Sequence, residues 1–194
     1  MLSAQNKPYV KNHYKNKSLK EEGWISPKNL KEGYWIYYAS DGKITAKGNY
    51  LNNQKNGYWK QFKNEILISE GNYKDNLKVG WWKDYHNNGT LKCVGKYING
   101  KMDAHWACYH TNKKIKNRGY FSKGEKFDWW EEYDKNGVKI KEGNYSQSKK
   151  DGYWKFYKNN SIAAEGMYRD EIKVGTWKLY DTAEQTLQII EFEE

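Results

Sequence analysis

Aliphatic residues are scarce in this 194-residue chain, cysteine and arginine are nearly absent, and no long apolar run occurs. A mean hydropathy of -1.17 with so few aliphatics is, taken alone, the composition of a disordered chain. Two cysteines, Cys93 and Cys108, cannot build a multi-bridge framework. Met1 to Lys20 is polar and has no charged-apolar-small leader, and nothing after it is apolar enough to span a bilayer, so the expectation is a reduced, cytoplasmic protein. The net charge of +10 comes almost wholly from lysine, because Arg118 and Arg169 are the two arginines. Readers of nucleic acid favour arginine for bidentate contacts, so nucleic acid is not an expected partner. A basic surface still attracts acidic partners, an anionic membrane surface among them.

What the chain does have is rings. Aromatics make up 17% of it. Each buried ring removes roughly 150–250 Å² from water, so rings can replace the missing aliphatics as core material. Tryptophan returns every 23 or 24 residues, at Trp35, Trp59, Trp82, Trp106, Trp130, Trp154 and Trp177. Around it recurs Gly-aromatic-Trp-x-x-aromatic, as in Gly57-Tyr58-Trp59-Lys60-Gln61-Phe62. A second phrase, Gly-x-aromatic, follows at Gly48/Tyr50, Gly71/Tyr73, Gly95/Tyr97, Gly119/Phe121, Gly143/Tyr145 and Gly166/Tyr168. Nine residues separate each of these glycines from the start of the next unit, whereas one-residue length changes fall at places such as Lys63-Asn64 and Asn159-Asn160. Those places are turns. A fixed period of this length marks a repeat array.

Asp41-Gly42, Asn88-Gly89, Asn136-Gly137, Asn52-Asn53, Asp75-Asn76 and Asn99-Gly100 reach positive φ cheaply and close hairpins between ring-rich strands. The fold expected is all-β: an elongated antiparallel meander of about seven hairpin repeats, a twisted single sheet like a solenoid, of about fifteen strands spaced ~4.8 Å apart. Residues 1–21 read as a polar extension and 22–194 as one repeat domain. It divides into a half repeat at 22–32 and repeats at 33–56, 57–79, 80–103, 104–127, 128–151, 152–174 and 175–194. Glu193-Glu194 blunts the far edge. Side-chain parity sends the tryptophans and the stripe Tyr38, Phe62, Tyr85, Tyr109, Tyr133, Tyr157 and Tyr180 to opposite faces, unless a bulge at the opening glycine brings both inward; the sequence leaves both open.

Gly152-Tyr153-Trp154-Lys155-Phe156-Tyr157 through Glu165-Gly166-Met167-Tyr168 resembles the MORN-variant repeat of bacterial YwqK-type antitoxin proteins. The resemblance runs from about Glu22 to Phe192, with glycine lost at Ala104, Asp128 and Ile190. It implies a hairpin array acting as an antitoxin or immunity protein that binds a toxin, with membrane-associated scaffolding as the alternative. The motif concerns the fold, so no toxin-binding residue carries over.

No set of residues points to catalysis, and no enzymatic activity or cofactor is expected. His105, Cys108 and His110 form a short cluster, but strand parity sends 105 and 108 to opposite faces, so no metal is expected there. Cys93 matches Ala46, and Cys108 matches Tyr37 and Phe156, so both read as packing residues rather than as a disulfide. Function in an array lies where repeats differ. The residue before each tryptophan forms the row Tyr34, Tyr58, Trp81, His105, Trp129 and Tyr153, ending at Thr176, and its rings either pack under the turns or are exposed as a partner-binding surface. A toxin-binding protein face is the leading expectation, anionic lipid the second, and stacking of carbohydrate or single-stranded nucleic acid a distant third.

Overall fold

The computed structural model describes residues 7–181 and 185–193, so Glu194 of the charged end and the first six residues of the extension lie outside it. The regular elements in the described residues are all strands: β1 (Tyr9–His13), β2 (Leu19–Ile25), β3 (Lys31–Tyr38), β4 (Ile44–Leu51), β5 (Gln54–Lys63), β6 (Ile66–Lys74), β7 (Leu77–Tyr85), β8 (Leu91–Ile98), β9 (Lys101–Tyr109), β10 (Ile115–Ser122), β11 (Glu125–Tyr133), β12 (Lys139–Ser146), β13 (Lys149–Lys158), β14 (Ser161–Arg169), β15 (Ile172–Asp181) and β16 (Thr186–Phe192). They lie in one open antiparallel sheet in chain order, the meander that the repeat implied. β1 forms within the stretch read as an extension, with Tyr9 opposite Trp24. Met1–Thr90 with Tyr97–Gly100 make one compact unit, and Leu91–Lys96 with Lys101–Glu194 make the other.

Two kinds of turn alternate. Two-residue turns with both φ positive join one set of strands, as at Asn52-Asn53 (50°, 65°) and Asp75-Asn76 (50°, 66°). Longer turns join the other set: Ala39 N–H donates to Lys43 C=O and Gly42 N–H to Ala39 C=O. At Asn64-Glu65 and Asn159-Asn160 this longer turn is replaced by a two-residue one, which is where the period shortens.

The core is a row of indoles, and glycine makes room for it. Trp35, Trp59, Trp82, Trp106, Trp154 and Trp177 are all under 2.5% exposed, although the sheet has a single layer. Each indole lies flat across the glycine of the preceding strand. A Cβ on Gly48 would stand 2.3 Å from Trp59 Cδ2, and one on Gly119 2.3 Å from Trp130 Cδ2. Strand register shifts just past these glycines. The next residue's carbonyl accepts the indole N–H, at 2.9 Å from Trp59 to Asn49, 3.0 Å from Trp82 to Asn72 and 2.9 Å from Trp154 to Asn144. On the tryptophan strand the bulge falls on the opening glycine, whose φ is positive at Gly33, Gly57, Gly80, Gly152 and Gly175. Ala104 and Asp128 hold the same conformation at φ 60°. Losing the glycine therefore leaves the geometry intact and adds strain.

The rings of Gly-x-aromatic stand edge-on between successive indoles. Tyr50 meets Trp59 at 5.1 Å, Tyr73 meets Trp82 at 5.0 Å, and Phe121 meets Trp130 at 5.0 Å. A lysine then closes six of the seven indoles from above, Met102 standing at the equivalent place before Trp106. Lys31, Lys55 and Lys78 in the first unit, and Lys126, Lys150 and Lys173 in the second, place Nζ 4.0–5.6 Å from the indole centroid. Burial holds the Lys55, Lys78 and Lys126 ammonium groups below the ordinary lysine range. Their methylene stems supply the apolar cover that a second layer would otherwise give.

One expectation is overturned. Cys93 and Cys108 are joined in a disulfide within the second unit, across a sequence separation of 15. The reason is register. Residues 15 apart face each other across neighbouring strands at this level of the repeat: Ala46 opposite Gln61, Ser69 opposite Asp84, Lys141 opposite Phe156 and Ala164 opposite Leu179. Comparing each cysteine with its equivalents in other repeats hid that the two are cross-strand neighbours.

Candidate partner-binding face

Strand alternation places the indoles, Gly-x-aromatic rings and capping lysines on one face. The opposite face carries the rest, so of the two arrangements left open it is the two-faced one that forms. In the first unit three rows cross β3 to β7. The outermost is Tyr34, Asn49, Tyr58, Asn72, Trp81, with Tyr34 opposite Asn49 and Tyr58 opposite Asn72. The next is Ile36, Lys47, Lys60, Glu70, Lys83. The third pairs Tyr38 with Ile44 and Phe62 with Leu67. The outer rings are open to solvent: Tyr34 is 45% exposed, Tyr58 46% and Trp81 62%.

Carboxylates stitch these rows together. Tyr85 Oη donates to Glu70 at 2.6 Å and Tyr38 Oη to Glu22 at 2.6 Å. Burial opposes ionisation of Glu70 but is outweighed by hydrogen bonds from Tyr85 and Tyr58, which hold its carboxyl below the usual range. Burial and then Glu70 push the Tyr58 phenol up to about 12.

In the second unit His105 faces Tyr120 with ring centroids 5.3 Å apart, Trp129 faces Asn144, and Tyr153 faces Met167. Trp129 and Tyr153 are exposed. The charged row here is compensated. Arg118 stands where Glu70 stands in the first unit, and Glu131, where a lysine would stand, pairs with it. Glu131 and Glu142 face each other, and Lys139 bridges them at 2.7 and 2.6 Å. Burial opposes ionisation of Glu131, but Arg118 and Lys139 outweigh it and lower the carboxyl to about 2. The first unit lacks that balance. Lys47 lies directly opposite Lys60, whose nearest carboxylate is Glu70 at 3.8 Å, and among the described residues Lys47 has no ion pair.

The row Tyr34, Tyr58, Trp81, His105, Trp129 and Tyr153 therefore sits on a solvent face, three members in each unit, and not under the turns. The short histidine–cysteine cluster does not converge: Cys108 is in the disulfide, His105 meets Tyr120 edge to face, and His110 Nε2 lies 3.0 Å from Tyr133 O. Sequence reasoning passed over the intervening Asn49 and Asn72 and the opposed Lys47 and Lys60. The invariant offset from Gly48 and Gly71 was a signal for the first pair, and the repeat register for the second.

No protein-family profile and no curated protein matches the chain. Among solved structures it is similar to part of a GtfA/B complex bound to UDP and GlcNAc, at 10% identity and a TM-score of 0.25, over 71% of this chain and 22% of that one. So slight a likeness carries no argument.

Proposed function

We propose that this chain is a non-catalytic protein-binding scaffold of the MORN-variant kind, an antitoxin or immunity protein that engages a toxin with the face opposite the indoles. The supporting observation is a division of labour. Indoles, glycines, edge-on rings and capping lysines hold the fold on one face, while Tyr34, Tyr58 and Trp81 stand exposed on the other. Exposed tyrosine and tryptophan are the residues that dominate protein interfaces. The lysines on the indole face are engaged over rings, which disfavours the anionic-membrane alternative. The disulfide qualifies the cytoplasmic setting: such bonds persist in oxidising compartments, so a toxin met there is the better candidate.

The test is co-expression with toxin-like genes adjacent to its own, followed by capture. Relief of toxicity and a stoichiometric complex, both lost in folded Trp81→Ala and Tyr58→Ala variants, support the reading. Capture of anionic lipid alone, with no toxin neutralised, defeats it.

A further inference from the structure

We infer that, in the first unit, the row Tyr34, Tyr58, Trp81 receives an extended, acidic, proline-rich segment of the protein partner, lying across the strands in polyproline II conformation with carboxylates toward Lys47 and Lys60. The inference rests on the protein-binding reading above and names the chemistry of the partner.

The first argument is pitch. The rings occur on every second strand, and neighbouring strands lie ~4.8 Å apart, so successive rings recur at ~9.6 Å. A polyproline II helix advances ~3.1 Å per residue with three residues per turn, so one of its faces recurs at ~9.3 Å. A peptide crossing β3 to β7 can thus set one residue of each triplet against each ring. An extended β-type peptide, advancing ~3.3 Å per residue with a two-residue alternation, loses that phase by the second ring.

The second argument is hydrogen bonding. Polyproline II makes no internal hydrogen bonds and presents bare carbonyls. Between the rings stand Asn49 and Asn72, both exposed, whose amides are donors placed at the intervening strands. Ring, amide, ring, amide, ring is the alternation such a backbone needs.

The third argument is charge. Like charges directly opposed across strands are unfavourable, and Lys47 faces Lys60. The second unit answers its own opposed pair, Glu131 and Glu142, with Lys139. Glu70 answers Lys60 at 3.8 Å, whereas Lys47, whose ammonium lies 5.5 Å from the Phe62 ring centroid, has no carboxylate among the described residues, and a partner carboxylate supplies one. Other repeats place Glu22, Glu70, Glu142 and Glu165 where Lys47 stands, so the lysine is a local departure on the face that the rings leave open.

The experiment titrates the full chain into fluorescently labelled (Pro-Pro-Glu)n, with (Pro-Pro-Lys)n and the flexible (Gly-Ser-Glu)n as comparisons, by anisotropy at low and moderate salt. The expected result is binding of (Pro-Pro-Glu)n that weakens with salt, at least about tenfold weaker binding by Trp81→Ala, and a similar loss with Lys47→Glu. Lys47→Glu is the informative variant, because it restores the residue used in other repeats and pairs with Lys60, so its melting temperature should hold or rise while binding falls. Equal binding of (Gly-Ser-Glu)n overturns the polyproline II assignment. Binding that Lys47→Glu leaves unchanged overturns the charge contact. An oligogalacturonide that binds the row where (Pro-Pro-Glu)n does not makes it a saccharide platform and ends the inference. If a toxin is captured through the rings and (Pro-Pro-Glu)n fails, only the peptide chemistry falls; if folded ring variants still neutralise the toxin, the reading beneath it falls too.

Discussion

Gly71→Ala should destabilise the first unit by about 1–4 kcal/mol, through a clash with one indole. A Cβ at Gly71 would lie 2.4 Å from Trp82 Cδ2, 2.5 Å from Cε2 and 2.6 Å from Cγ. Ordinary contact begins near 3.4 Å, so the ring must retreat by 3.4 less 2.4, or 1.0 Å. It has little freedom to do so. Its Nε1 donates to Asn72 O at 3.0 Å, Tyr73 and Tyr97 stand edge-on at 5.0 and 6.0 Å, and Lys78 Nζ lies 4.0 Å above. Overpacking of this kind costs about 1–3 kcal/mol. Losing the indole hydrogen bond adds about 0.5–1.5 kcal/mol. The gain from a stiffer unfolded chain, about 0.4–1 kcal/mol, offsets part of this. Gly80→Ala is the control: nothing lies within 4 Å of its Cβ, and its φ of 66° costs only about 1–2 kcal/mol. Urea unfolding followed by tryptophan fluorescence, with near-ultraviolet circular dichroism to report indole packing, separates the two. If Gly71→Ala costs no more than Gly80→Ala, the glycine is not the floor of the indole and the account of the core fails.

Ala104→Gly should stabilise the second unit by about 1 kcal/mol by relieving φ 60°, and Asp128→Gly by less, since aspartate tolerates that region better; melting temperatures check both. Reduction of Cys93–Cys108 should lower stability by up to about 3 kcal/mol, the loop-entropy value for a closure of this length, read as a drop in melting temperature with reductant. The Glu131 carboxyl falls from 4.5 to about 2 on folding, so its contribution is present above pH 4.5 and is lost as pH falls toward 2. Glu131→Gln should accordingly flatten the acid limb of stability against pH. The Tyr37 and Tyr145 phenols rise from 10.0 to about 12, chiefly by burial, so their contribution is present below pH 10 and lost as pH climbs to 12. Lys55, Lys78 and Lys126, lowered by burial, act with the opposite sign just below pH 10.5. Melting temperature across that range should therefore turn down only above pH 10.

Most of the fold was legible because the repeat wrote it seven times. Trp35 to Trp177 gave the period, Asn52-Asn53 and Asp75-Asn76 the turns, and the length change at Asn64 the place where turn type switches. What stayed hidden was pairing between strands. The phrase Gly48-Asn49-Tyr50 shows that glycine recurs, but not that the next tryptophan, 11 residues on, will lie across it. The same blindness concealed the disulfide, because Cys93 and Cys108 are neighbours only once register is known. Lysine four residues before six of the seven tryptophans, with Met102 in the remaining place, was visible in the sequence. It was read as part of a basic surface because composition counts a side chain by its head group and not by its stem.

The site was less legible for a related reason. A two-faced strand can change one face without disturbing the other, so the sequence mixes a constant signal with a free one at alternate positions. The constant face sets a strict test: Gly71, Trp82, Tyr73 and Lys78 each fix the volume left to the others. The free face sets only a balance of charge, which the second unit keeps after exchanging the usual signs at Arg118 and Glu131. Where that balance is kept, a substitution on the open face carries no functional message. Lys47 opposite Lys60 breaks it at a position where Glu22, Glu70, Glu142 and Glu165 show that a carboxylate is within reach. A lysine without a carboxylate, on a face where Glu70 pairs with Lys60 and beside exposed rings, is the departure from which the proposed partner contact is argued.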